Sequence, residues 1–140
     1  MKMIDSRSGF EVLERRECLR LLAGEVVGRV AVVEAGSPLV LPVNFGMDGD
    51  IIVFRTGPGT KLSEARGHAA CFEVDSFDRA TRSGWSVVVR GRIEEVTEHS
   101  PALLARVAHL AEPWLEGDKN HVVRIVPSSI TGRRVPARPI

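Results

Sequence analysis

Cysteine is scarce in this chain: Cys18 and Cys71 are the two among 140 residues, and they stand far apart. No disulfide framework is expected, and their apolar neighbours point to reduced, buried positions on a helix and a strand. The four histidines, His68, His99, His109 and His121, have no zinc-type spacing with either cysteine, so no metal site is expected. No apolar run approaches the roughly 20 residues of a membrane span. Residues 1–10 lack the apolar core of a secretory signal, and the expectation is a cytoplasmic protein. Charge of one sign is missing too: 19 Lys+Arg against 18 Asp+Glu leave +1 at pH 7. That balance supplies no general field for nucleic acid or an anionic membrane, so any anion recognition must be local. A Gly-x-Ser-x-Gly elbow is absent, and with it the usual setting of a serine nucleophile.

What is present suits one globular domain with a real core: 44% of residues are hydrophobic and 26% charged. Residues 1–10 read as a flexible N-terminus, 11–135 as the domain and 136–140 as a flexible tail. Residues 14–23 carry Cys18, Leu19, Leu21 and Leu22 among charges before Gly24, an amphipathic helix with a glycine stop. Residues 27–34 and 39–45 are β-rich runs joined by Ala35-Gly36-Ser37-Pro38, and Asp48-Gly49 turns the chain into a third run at 51–56. A helix is expected over 60–66, a strand over 69–75 and the longest strand over 85–96. In that last run Val87 and Val89 alternate with Val88 and Arg90, so one face is wet. Ser100-Pro101 starts a helical pattern within 97–113, and a final strand over 120–125 is interrupted by Pro127. Six strands in mostly hairpin order with two or three short helices predict a mainly β fold, an antiparallel barrel with helices on its rim.

The chemically informative stretch is Phe54-Arg55-Thr56-Gly57-Pro58-Gly59-Thr60-Lys61. A β-rich run ends there, glycines force a turn, and Thr60 stands where a helix N-cap belongs. Free amides, the helix dipole and the cations Arg55 and Lys61 would together match a phosphate monoester. The nucleoside-triphosphate loop needs four residues between its glycines and Lys-Ser/Thr after them, and this stretch has neither. An ordinary strand-turn-helix connection with both cations in water fits the stretch equally well when it is taken alone.

Over residues 11–135 the chain resembles the flavin-binding split β-barrel proteins related to pyridoxamine 5′-phosphate oxidase. The resemblance rests on Val26-Val27-Gly28-Arg29-Val30-Ala31, Leu41-Pro42-Val43-Asn44-Phe45, the phosphate cradle, Phe72-Glu73-Val74-Asp75, and Gly84-Trp85-Ser86-Val87-Val88-Val89-Arg90-Gly91. It implies a six-stranded antiparallel FMN-binding split barrel and a homodimer with the flavin in a groove between protomers. By the same resemblance Arg55, Thr56, Thr60 and Lys61 match the phosphate-binding positions. The flavin ring would run along Val40, Leu41, Pro42, Val43 and Asn44, and Ser86 matches a polar residue that reaches it. Trp85 either flanks the ring or caps the barrel.

The chain departs from the namesake enzymes at their Arg-x-His element, where it has Asn120-His121-Val122-Val123-Arg124. The resemblance is closer to small flavin proteins similar to nitroimidazole reductases, some of which use a deazaflavin coenzyme in place of FMN. Two classes of function follow. One is an FMN-dependent oxidoreductase passing hydride or electrons to a small-molecule substrate, the cofactor carrying the chemistry. The other is a non-catalytic flavin- or haem-binding module, for which His121 or His68 would be the axial candidate. Within the first class His121 is the candidate substrate-pocket residue, and Trp114 is either a hydrophobic plug or a cofactor contact.

Overall fold

The computed structural model describes residues 2–57, 68–115 and 121–137; the expected helix over 60–66, with Thr60 and Lys61, lies outside them. The described elements are β1 (Met3–Ile4), β2 (Glu11–Leu13), α1 (Arg15–Ala23), β3 (Val27–Glu34), β4 (Ser37–Asp48), β5 (Ile51–Thr56), β6 (Ala69–Asp78), β7 (Ser83–Val96), α2 (Pro101–Val107) and β8 (His121–Val135). All strand pairs are antiparallel. Pairing runs β8-β5-β4-β3-β6-β7, and β7 returns to β8, which closes six strands into the expected barrel. β1 and β2 extend the sheet beyond β8.

Strand alternation decides what lies inside. Val30 and Val32, Ile52 and Phe54, Phe72 and Val74, Val87 and Val89, and Val123 and Ile125 are buried at every second position and meet in one core. Phe45 and Phe72 pack edge to face there, with centroids 5.0 Å apart. α1 closes one side of the barrel with Cys18 and Leu22, both fully buried. α2 covers the opposite parity of β5, where Val53, Val107, Val96 and Val122 form a smaller cluster. Leu103 and Leu104 pack against that cluster from α2, and Leu110 does so from the turn beyond it.

Several boundaries differ from the sequence reading. The four-residue turn tightens to Ala35-Gly36, so Ser37 and Pro38 join β4. α2 stops at Val107 rather than running to Pro113. β8 continues through Pro127 to Val135 because the ladder slips there: Arg90 pairs with Ser129 and Gly91 with Pro127, leaving Ser128 as an extra residue. The Ser128 hydroxyl donates to the Arg90 carbonyl at 3.1 Å, and the bulge accommodates a residue with no N–H to give. The N-terminal region carries β1 and β2, too short for any alternation to announce. Arg134 ties β2 and α1 to β8 through Glu11 at 3.5 Å and Glu17 at 2.9 Å. Hydrogen bonds from Arg20, then Arg134, hold the Glu17 carboxyl down at about 2.

Cys71 corrects the core expectation: Phe72 takes the inward place, and half-buried Cys71 stands beside Ala31 and Arg90 in register. Glu73 and Asp75 share its side of β6, and Arg29 of β3 reaches both, at 3.1 and 3.5 Å. Loss of hydration pushes the Glu73 carboxyl up to about 7, reinforced by its hydrogen bond and charge repulsion with Asp75; Arg29 offsets only part.

Two outcomes follow. A Cβ on Gly132 would sit 2.6 Å from the Cys18 sulfur and 3.2 Å from Leu13 Cδ1. Gly132→Ala should therefore cost about 1–3 kcal/mol in urea unfolding. Gly24→Ala, whose added carbon meets nothing closer than 3.6 Å, should change stability far less. Equal losses would contradict the packing described. Glu73 binds its proton more tightly in the folded chain than in the unfolded one, so its ionisation penalty is absent below its ordinary value of 4.5 and complete above about 7. Glu73→Gln should stabilise the protein at about pH 8 and leave stability at about pH 4 nearly unchanged. The same shift at both values would contradict the assignment.

Candidate functional site

The site begins with a mismatch of strand lengths. β4 has 12 residues and pairs with β3 from Ser37 to Asn44, whereas its other edge pairs with β5 only from Phe45 to Asp48. Along residues 37–44 that second edge has no strand partner among the described residues. Prolines 38 and 42 fall on this stretch, which suits an edge rather than a doubly paired strand. Leu39, Leu41 and Val43 turn inward and pack against the core, while Pro38, Val40 and Pro42 are exposed on the alternate side.

The last turn of α2 and the chain after it run along β4 toward this edge, fastened at alternate β4 residues. Arg106 pairs with Asp48 at 2.6 Å. The Leu110 carbonyl lies directly against Gly46, in the space any Cβ would fill. The Asn44 Oδ1 accepts the Trp114 amide at 2.8 Å, while its Nδ2 donates to the Val26 carbonyl at 3.4 Å. Asp48, Gly46 and Asn44 share one strand face, so the segment 106–114 follows β4 as a strap. Under the strap's end is a cavity of ≈ 130 Å³ lined by Pro42, Val43, Asn44, Arg55, Pro113 and Leu115.

That cavity unites residues from two separate parts of the sequence reading, the β4 run and Arg55. Val40 is 58% exposed on the open strand beyond it, and Leu41 packs inward. Thr56 is adjacent to Arg55 but points the other way: it is buried, at the parity of core residues Ile52 and Phe54. Trp85 packs against the barrel core at the parity of Val87 and Val89, the capping position. Ser86 faces outward and lines a different cavity with Arg90 and Arg133. His121 pairs with Thr56 across β5 and β8, and its Nδ1 lies 2.6 Å from Glu95 Oε1; it does not line the Arg55 cavity. Trp114 is no plug under a loop: its amide is held, yet the residue is 71% exposed, as is Leu115 at 77%. The strap residues Pro113 and Leu115 escaped the sequence reading. Gly46 was the signal, because a glycine inside a strand marks a close backbone approach.

Among the described residues no group of three His, Cys, Asp or Glu side chains could hold a metal ion, and no helix is long and apolar enough to cross a membrane.

Comparison with known proteins identifies the fold and the family. An uncharacterised protein of Mycobacterium tuberculosis is 37% identical, covering 89% of this chain and 85% of its own. The FAD-binding protein of Mycobacterium smegmatis has the same fold, with a TM-score of 0.70 and 30% identity over 91% of this chain and 99% of that one. A FAD-binding protein of Mesorhizobium loti superposes with a TM-score of 0.70 and 25% identity, over 91% and 99%. The family model described as pyridoxamine 5′-phosphate oxidase matches residues 14–134, and the chain belongs to that family.

Proposed function

We propose that the chain is a flavin-dependent oxidoreductase that binds FMN, or the FMN half of FAD, in the cleft between the open edge of β4 and Arg55. The observation that carries this reading is the single cavity lined by Pro42, Val43, Asn44 and Arg55. Flavin needs a flat apolar wall, backbone groups for its heteroatoms and a cation for its phosphate, and the open β4 edge, the prolines and Arg55 supply one of each. Thr60 and Lys61, the other two residues that match the family's phosphate-binding positions, lie outside the described residues. The two FAD-binding relatives support flavin as the ligand class and favour FAD as the second reading.

When bound, the flavin supplies the hydride and electron transfer to a small acceptor. The chain's own part is positional. Arg55 anchors the phosphate end, the β4 edge sets the height of the ring, and the strap shields one side from water. Asn44 acts by holding the strap through the Trp114 amide.

A cavity of ≈ 130 Å³ is well short of the roughly 300–1,000 Å³ of a complete ligand pocket. A second copy would supply the missing wall, and the exposed Val26, Val33, Val40, Trp114 and Leu115 are the apolar surface such a homodimer would cover.

Three measurements test the reading. Arg55→Ala should weaken FMN roughly ten- to a hundredfold, the worth of a charge-assisted bond, and riboflavin hardly at all; an equal loss would remove Arg55 from the phosphate site. Sedimentation should find a dimer at micromolar concentration, with Val40→Lys shifted to monomer. A wild-type monomer with flavin bound would sink the two-copy site. Anaerobic reduction by a nicotinamide donor followed by a nitroaromatic acceptor should turn over faster than free flavin, and a rate equal to free flavin would favour a binding module.

A further inference from the structure

Cross-strand register carries one outer face of the barrel from the open edge of β4 across β3 and β6 to β7. Val40 pairs with Ala31, which pairs with Cys71; Pro42 pairs with Arg29, which pairs with Glu73. Neither described helix lies on this face: α1 packs into the barrel core, and α2 packs on Val53, Val96 and Val122. Val33 and Val40 stand exposed on it. The apolar surface assigned above to a second copy is therefore continuous with Glu73.

In the middle of this face two carboxylates share one guanidinium, Arg29 reaching Glu73 at 3.1 Å and Asp75 at 3.5 Å. With all three ionised, one negative charge is left over. Glu73 and Asp75 keep 33% and 29% of their side-chain surface, so a covering partner has hydration to remove from both. The charged or titratable groups facing Glu73 are Arg29 from β3, Cys71 and Asp75 from β6, and Arg90 from β7, with Arg133 of β8 further across. Among the described residues neither Arg90 nor Arg133 has Glu73 or Asp75 at ion-pair distance. An isologous pair of chains sets this face against its own copy, so one interface covers the acid pair twice. Removing water penalises the charged form of such a pair, and binding a proton removes the penalty. Glu73 is the member that takes the proton, because loss of hydration and the neighbouring Asp75 already raise its carboxyl to about 7 in the single chain.

We propose that association of two copies through this face takes up a proton at each Glu73, so that pH controls completion of the flavin cleft. The proposal rests on the two-copy reading of that cleft. A proton held more tightly in the pair than in the single chain strengthens association as pH falls through about 7 and weakens it as pH rises.

Sedimentation equilibrium of the full chain at about pH 6 and about pH 8, at constant ionic strength, tests it. The dissociation constant of the pair should rise about tenfold to a hundredfold between the two, the upper value corresponding to one proton per chain. Glu73→Gln, which imitates the protonated carboxyl, should flatten the profile and associate at pH 8 about as tightly as wild type does at pH 6. Asp75→Asn removes a hydrogen bond and a repulsion that raise Glu73, and should move the profile to lower pH. Asp50→Asn, which alters an acid of the β4–β5 turn paired with Arg15, should leave the profile unchanged. Thermal unfolding of each variant at both pH values checks that it is folded. Equal dissociation constants at the two pH values, or a slope retained in Glu73→Gln, would overturn proton uptake and leave the two-copy reading standing. Tighter association at the higher pH, as an arginine of the second copy meeting ionised Glu73 would produce, would overturn it in the same way. Monomer at both pH values, in wild type and in Glu73→Gln, would overturn both.

Discussion

A strand twice as long as its neighbour governs the site. β4 and β5 separate after four paired rungs, from Asp48 with Ile51 to Phe45 with Phe54. Beyond them β4 continues along β3 with one edge unpaired by any described strand. In a barrel, an open edge is a liability unless something else meets its backbone groups. Here the strand protects itself with Pro38 and Pro42, and the proposed flavin would meet the remaining backbone groups of that edge. The inward side chains of the same stretch, Leu39, Leu41 and Val43, pack on the core and keep that edge straight and in place.

The strap depends on the same strand. Asp48, Gly46 and Asn44 give it, in order, a charge partner, a place where backbone can touch backbone, and a hydrogen-bond acceptor. The ion pair at Arg106 is exposed and contributes little by itself. The Gly46 contact is different in kind: any side chain there must lift the Leu110 carbonyl, and with it the wall formed by Pro113 and Leu115. Packing at one glycine thus reaches the cleft through the course of the main chain.

Much of the barrel was legible because its signal is periodic. Alternate residues in the middle of β3, β5, β7 and β8 are apolar and buried, and the turns at Ala35-Gly36 and Asp48-Gly49 carry the residues hairpins need. What escaped lacks a period or depends on distant partners. β1 has two residues and β2 three; β1 pairs with β2, and β2 is held by β8 more than a hundred positions away. Pro127 reads as a break until the bulge at Ser128 explains it. Cys71 and Phe72 are both apolar, and only the tertiary register decides which one faces the core. In the site, Arg55 and the β4 run were readable through family resemblance, and the structure joins them. Their neighbour Thr56 turns inward, a consequence of alternation that the phosphate motif alone does not reveal. The strap is a tertiary feature, foreshadowed by Gly46 alone.

The most direct test of the account is a crystal structure of the protein grown with FMN. The account predicts the flavin ring along the open edge of β4 at Pro42–Asn44, its phosphate at Arg55, and the Asn44 bond to the Trp114 amide retained. A flavin seated at Ser86, Arg90 and Arg133 of the same chain, with the β4 edge bare, would contradict it.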